Sequence, residues 1–209
     1  MRIMKRLLVL LLAGLTSFAG CSTQSNSVLM GKGTVKSVET IVCLRHGEAP
    51  GADLGQLTCR GLNRALALPG VLLAKYGSPQ FIFACNPAEQ VDGYSYVRAL
   101  ATIEPTAIRC GLPVNTQFGA SDVAGLQQEL RKPEYKNATV FVAWEHKALD
   151  RFVKSLIKAN GGSSWQVPSW GGDDFDSIFV VRITRAGGKE AVAFTDDHEG
   201  LNHLSDKCP

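Results

Sequence analysis

Thr40-Ile41-Val42-Cys43-Leu44-Arg45-His46-Gly47-Glu48 is the stretch on which the fold turns. Its first five residues form an uncharged, largely apolar run with no polar alternation, as expected for a strand buried on both faces of a sheet. The run stops at a guanidinium, an imidazole and a carboxylate grouped around one glycine. In an open α/β sheet, ligands bind at the carboxyl ends of strands. Arg45, His46 and Glu48 are therefore candidate site residues by position alone.

Working outward, short apolar runs alternate with longer amphipathic ones. The pattern predicts strands over Gln80 to Ala84, Thr139 to Trp144, Ser177 to Ile183 and, more weakly, Glu190 to Phe194. Helices are predicted over Arg60 to Tyr76, with Leu62, Ala65, Leu66 and Leu73 on one face, and over Ser95 to Cys110, Ser121 to Arg131 and Lys147 to Ala159. Strands separated by helices imply an α/β three-layer sandwich, a mostly parallel central sheet with helices on both faces. The last two strands, joined through Arg185-Ala186-Gly187-Gly188-Lys189, read as an antiparallel edge hairpin. No repeat or second linker interrupts residues 39–209, which read as one domain. The second strand runs into Cys85-Asn86-Pro87 and the third into Glu145-His146-Lys147, so two of the four histidines directly follow strands, each in a charged triplet.

These segments resemble the histidine phosphatase superfamily, the phosphoglycerate mutase and acid phosphatase group. Leu44-Arg45-His46-Gly47-Glu48 after a strand is similar to its signature. Leu57-Thr58-Cys59-Arg60-Gly61-Leu62-Asn63-Arg64-Ala65 looks like its turn into the first helix. Arg98-Ala99-Leu100-Ala101-Thr102 resembles its second arginine element, and Val140 to His146 its strand ending in a second histidine. The resemblance implies that His46 takes the phosphoryl group on a ring nitrogen while Arg45, Arg98 and His146 bind the phosphoryl oxygens, with no metal or cofactor. Guanidinium suits that task because it donates paired hydrogen bonds and keeps its charge. The family's general acid has no counterpart here, since Lys147 follows the second histidine and Gln117-Phe118-Gly119 stands where another branch has Glu. Glu145 is the favoured substitute and Glu48 the other candidate, Glu48 also being expected among the substrate-binding groups. A weak acid would favour good leaving groups, such as phosphohistidine, acyl phosphates or pyrophosphates.

The N-terminus carries its own message. Residues 1–20 pass from Arg2, Lys5 and Arg6 into Leu7-Leu8-Val9-Leu10-Leu11-Leu12-Ala13-Gly14-Leu15 and then small residues, the form of a secretory signal peptide. Phe18-Ala19-Gly20-Cys21 resembles a bacterial lipobox, which implies lipidation of Cys21, a flexible tether over 21–38, and an exported, membrane-anchored lipoprotein. Ser22 is compatible with an outer membrane, the domain then facing the periplasm. The leader also holds the whole excess of positive charge. The chain has 22 Lys and Arg against 19 Asp and Glu, and without the leader's three the two signs balance, which removes overall support for a nucleic-acid partner.

Of six cysteines, Cys43 reads as buried and free, while Cys59, Cys85, Cys110 and Cys208 permit up to two disulfides whose pairing stays open. His198 and His203 read as part of a polar tail and Asp173-Asp174-Phe175-Asp176 as turn chemistry, so no metal site is expected. Trp165, Trp170 and Phe175 either roof a pocket or pack. The expected function is a metal-independent phosphatase that hydrolyses a phosphomonoester, or a related phosphorylated small molecule, through a phosphohistidine on His46 outside the cytoplasm. A catalytically silent, anion-binding envelope lipoprotein is the alternative. Oligomeric state is left open.

Overall fold

The computed structural model describes residues 36–51, 54–91 and 93–209. At its centre runs β1 (Ser37–Arg45), in which Ile41 to Leu44 are wholly buried, as a strand covered on both faces requires. β1 pairs in parallel with β6 (Thr139–Trp144) and antiparallel with β7 (Ser177–Ala186). Beyond β6 lie β2 (Phe81–Ala84) and the two-residue β5 (Val114–Asn115), both parallel, and beyond β7 lies the antiparallel β8 (Lys189–His198). The sheet order is β5-β2-β6-β1-β7-β8, so the mostly parallel sheet with an antiparallel edge pair is as expected. β1 begins at Ser37, two residues before the boundary drawn at Glu39, because Ser37 and Val38 pair with Arg185 and Thr184. The signal peptide (1–20), Cys21 and the tether up to residue 35 lie outside the described residues.

Among the described residues, four helices cover the sheet: α1 (Cys59–Tyr76), α2 (Arg98–Cys110), α3 (Val123–Glu129) and α4 (His146–Ala159). α1 packs on α2, and α3 on α4. The Thr58 hydroxyl starts α1 by accepting from Gly61 N, and Gly77 ends it at a positive φ that side chains disfavour. The buried face of α1 differs from the expected one. Gly61, Arg64, Ala65, Leu68 and Leu72 point inward, while Leu62 and Leu66 are exposed. The helix is turned this way so that Gly61 can meet the loop after His46 and Arg64 can reach its carboxylates. A core of Ile41, Leu44, Phe83, Phe141, Phe152 and Phe179 binds the layers together, each apolar side chain contributing about 1.5–3 kcal/mol on burial.

α2 starts at Arg98 rather than Ser95, because the preceding residues form a small hairpin of β3 (Gln90–Val91) and β4 (Tyr94–Ser95). The backbone N–H groups of Val97 and Arg98 then donate to Gly55 O at 3.1 and 3.0 Å, which fixes the entry into the helix.

Among the described residues, one disulfide forms, Cys59–Cys208, and Cys43, Cys85 and Cys110 are free. Cys85 is unbonded because it closes β2 inside the core, as buried as Cys43. The disulfide fastens the C-terminal segment along α1, where Asn63 also donates to Ser205 O and Lys207 O and Arg60 pairs with Asp206.

Candidate active site

The three chemistry-bearing strand ends meet at one place. A cavity of about 370 Å³ at the carboxyl end of the sheet is lined by Arg45, His46, Arg98, Glu145 and His146, with Ala49, Tyr96, Ala120 and Phe175. Adjacency of β1 and β6 brings Arg45 level with Trp144, so His46 and His146, each just past its strand, arrive side by side. Arg98 and His146 are the first residues of α2 and α4, so two helix N-termini stand at the cavity and their dipoles add partial positive charge.

His46 is buried and oriented by the backbone. Its Nδ1 lies 2.8 Å from Gly47 O, which fixes the proton there and leaves the Nε2 lone pair free. Burial, with Arg98, Arg45 and His146 adding to it, pushes the His46 pKa down to about 3, so the ring is neutral and nucleophilic across the physiological range. The loop that holds it is tied on both sides. His46 N donates to Trp144 O at 2.9 Å, and Gly47 N donates to Thr102 Oγ1 at 2.8 Å. Thr102 in turn donates to Arg98 O at 2.7 Å, so one hydroxyl joins the His46 loop to the first turn of α2.

Gly47 is required by packing, not by its φ. A Cβ there would come within 3.0 Å of Gly61 Cα, and a Cβ on Gly61 would lie 2.9 Å from Glu48 N and closer still to Glu48 O. The two glycines let the loop and α1 touch backbone to backbone.

The two guanidiniums are held by aromatic faces. Arg45 Cζ sits 3.8 Å from the Phe175 ring centroid and Arg98 Cζ 4.4 Å from that of Tyr96. Arg45 Nη1 donates to Gly172 O and to Asp174 O, while its Nε is buried without a hydrogen-bond partner. Phe175 thus belongs to the cavity wall, whereas Trp170 packs on Phe179 at 4.1 Å in the core and Trp165 is 96% exposed. The aspartates beside it make the expected turn, Asp174 accepting from Asp176 N, Ser177 N and Ser177 Oγ.

Glu145 is the N-cap of α4, its two oxygens accepting from Lys147 N at 3.0 Å and Ala148 N at 2.8 Å. One of them also lies 2.7 Å from His146 Nδ1, close but not aligned as a hydrogen bond. Burial and the charge of Arg45 hold the His146 pKa below its usual value against the pull of Glu145. The shift favours the neutral ring, and an anion bound beside it would act the other way, favouring the imidazolium.

Glu48 does not line the cavity, contrary to the expectation that it binds substrate. Its carboxylate turns away to Arg64, with Oε1 2.8 Å from Nη2 and Oε2 3.0 Å from Nε. Arg64 is fully buried and also bonds Glu199 and Leu201 O, so Glu48 belongs to a polar cluster that joins the His46 loop, α1 and the C-terminal segment. Tyr96, Ala49 and Ala120 were missed from sequence. Of these, only Tyr96 left a signal, an aromatic two residues before an arginine.

By sequence, the chain matches no protein-family model and no curated protein. By structure it resembles several solved proteins. The mycobacterial glucosyl-3-phosphoglycerate phosphatase superposes with a TM-score of 0.52 at 16% identity, covering 76% of this chain and 99% of that one. The protein histidine phosphatase SixA in complex with tungstate gives 0.50 at 16% identity, covering 77% and 97%. The phosphoglycerate mutase of Plasmodium falciparum gives 0.52 at 10% identity, covering 83% and 98%. The chain has the mixed α/β fold that these phosphatases and the mutase share.

Proposed function

We propose that the chain is a phosphatase that moves the phosphoryl group of a phosphomonoester, or a related phosphorylated compound, first to His46 and then to water. The observation that carries this reading is the convergence of Arg45, Arg98, His46 and His146 on one cavity. The neighbours whose names state phosphatase activity, and the one bound to the oxyanion tungstate, support it.

In the first step His46 Nε2 attacks phosphorus, forming the N–P bond as the ester P–O bond breaks and the leaving oxygen takes a proton. In the second, water attacks phosphorus, the N–P bond breaks, and inorganic phosphate leaves. Hydrolysis of phosphate monoesters is among the slowest uncatalysed reactions, and the residues present supply positioning and positive charge. Arg45 and Arg98 donate to the equatorial oxygens, and His146, once protonated, donates a further bond. These nitrogen donors are suited to phosphate itself, whereas Mg²⁺ sites are built from carboxylates; we read the reaction as metal-independent. Glu145, the single carboxylate of the lining, is the group we assign to the leaving oxygen, acting beside His146.

The double engagement of Glu145 as a helix cap favours a second reading, an anion-binding protein without turnover. We also read the domain as exported and lipid-anchored at Cys21; the Cys59–Cys208 disulfide supports an oxidising compartment.

The test is a rapid quench of the full chain with a panel of phosphoesters, acyl phosphates and phosphohistidine. Acid-labile phosphate should accumulate on the wild type, with or without EDTA, and be absent from His46→Ala. Its persistence in the variant would place the nucleophile elsewhere. Phosphate binding without turnover of any substrate would establish the second reading.

A further inference from the structure

α4 carries a pattern that the phosphate chemistry leaves unused. At about 100° per residue, Lys147, Arg151, Lys154 and Lys158 fall within a stripe about 60° wide, opposite the buried Leu149, Phe152, Val153 and Leu156. Asp150 is the one acid on this helix, and it pairs with Lys154 at 2.8 Å. A cationic stripe alone is an ordinary solvated face. Here it adjoins the short 3-10 turn Ser164–Gln166, whose Trp165 is 96% exposed, and Lys154 and Trp165 line a common cavity of about 330 Å³ with Ser164, Val167 and Ser169. Placing an indole in water wastes its apolar area, whereas at a membrane surface its ring and its N–H are both satisfied.

We propose that this face of α4, with Trp165, docks on an anionic phospholipid surface, a headgroup phosphate entering the niche beside Lys154, Ser164 and Ser169. Charge complementarity and the exposed indole together select this partner. Each cation close to an anionic leaflet strengthens docking about fivefold, and the attraction fades within about one Debye length. The stripe begins one residue after His146, so docking sets the cavity at one end of the membrane-facing surface. The inference stands on residues outside the phosphate-binding set and holds whichever reading of the cavity is correct.

Of the three tryptophans, Trp144 and Trp170 are buried, so contact with lipid reports on Trp165. The experiment mixes the full chain with vesicles of brominated phosphatidylcholine, with or without phosphatidylglycerol, and follows tryptophan quenching. A lipid tether would hold the chain on either vesicle, but only docking brings Trp165 among the acyl chains. The expected result is quenching on the anionic vesicles alone, lost at high salt, lost in Trp165→Phe, and about 25-fold harder to saturate in R151Q/K158Q. Circular dichroism and thermal melting of both variants show that they fold. Equal quenching on neutral vesicles, no quenching on anionic ones, or no effect of R151Q/K158Q would overturn the proposal. So would preferential capture of the stripe by a short DNA duplex offered at equal phosphate concentration.

Discussion

Glu199 offers a test of the buried cluster through pH. Its carboxyl is buried against Arg64, which also faces Glu48 and has Asp176 Oδ1 3.8 Å from its Nη1. Burial raises its pKa from about 4.5 to about 8 in spite of Arg64. Glu48, whose burial pushes the same way, is held below its usual value by the Arg64 bonds. At neutral pH Glu199 therefore keeps its proton while Glu48 answers the charge of Arg64. The group's stabilising effect is complete below the unfolded-chain value near 4.5. As pH rises from there towards 8, the unfolded chain releases the proton and the fold retains it. Stability then falls by about 1.4 kcal/mol per pH unit, reaching about 3 kcal/mol by pH 7. Glu199→Gln has no proton to lose and keeps an oxygen for Arg64. Urea unfolding at a series of pH values, with the disulfide intact, should show variant and wild type alike near pH 5 and the variant ahead by a few kcal/mol near pH 8. Parallel pH profiles, or a wild type that gains on the variant as pH rises, would refute the reasoning and mean that an ionised Glu199–Arg64 pair dominates.

Gly61→Ala drives a Cβ into the Glu48 backbone and should cost about 1–3 kcal/mol of overpacking; thermal melting reads the loss, and turnover should fall with it as the His46 loop shifts. Thr102→Val keeps the shape but removes the acceptor for Gly47 N and the donor to Arg98 O, both buried, so about 1–3 kcal/mol of stability should go. The rate of the proposed phosphoryl transfer should drop at least tenfold while bulk secondary structure is retained, since His46 and Arg98 lose their common tie. Replacing Cys59 and Cys208 by Ser opens a loop of sequence separation 149 and should lower stability by about 3–5 kcal/mol, measured against the wild type without reductant.

The centre of this molecule was plain in its sequence because there one requirement acts at a time. Ile41 to Leu44 must be apolar on both faces, and the groups that follow must stand at the strand's end. The same logic revealed His146 after β6. Arg98 was found by its motif, but the hairpin before it was not, since two-residue strands leave no periodicity. The face of α1 was misjudged because a buried arginine and a glycine pressed against backbone occupy positions that hydrophobicity alone gives to Leu62 and Leu66. Glu48 was misplaced for a related reason: its partner Arg64 and the third member Glu199 are far apart in sequence, and no local pattern announces that three ionisable groups share one buried space.

The proton on His46 is positioned by Gly47 O, an atom that belongs to the chain itself. A side chain in that role can vanish with one codon change, but a carbonyl survives every substitution that preserves the loop. A change at Ala49 or Ala120 on the cavity wall thus leaves the tautomer of His46 untouched, whereas Tyr96 and Phe175 also hold Arg98 and Arg45. In this architecture the lining at Ala49 and Ala120 and the tautomer of His46 are separable, and redesign of the first can proceed while the second is left alone.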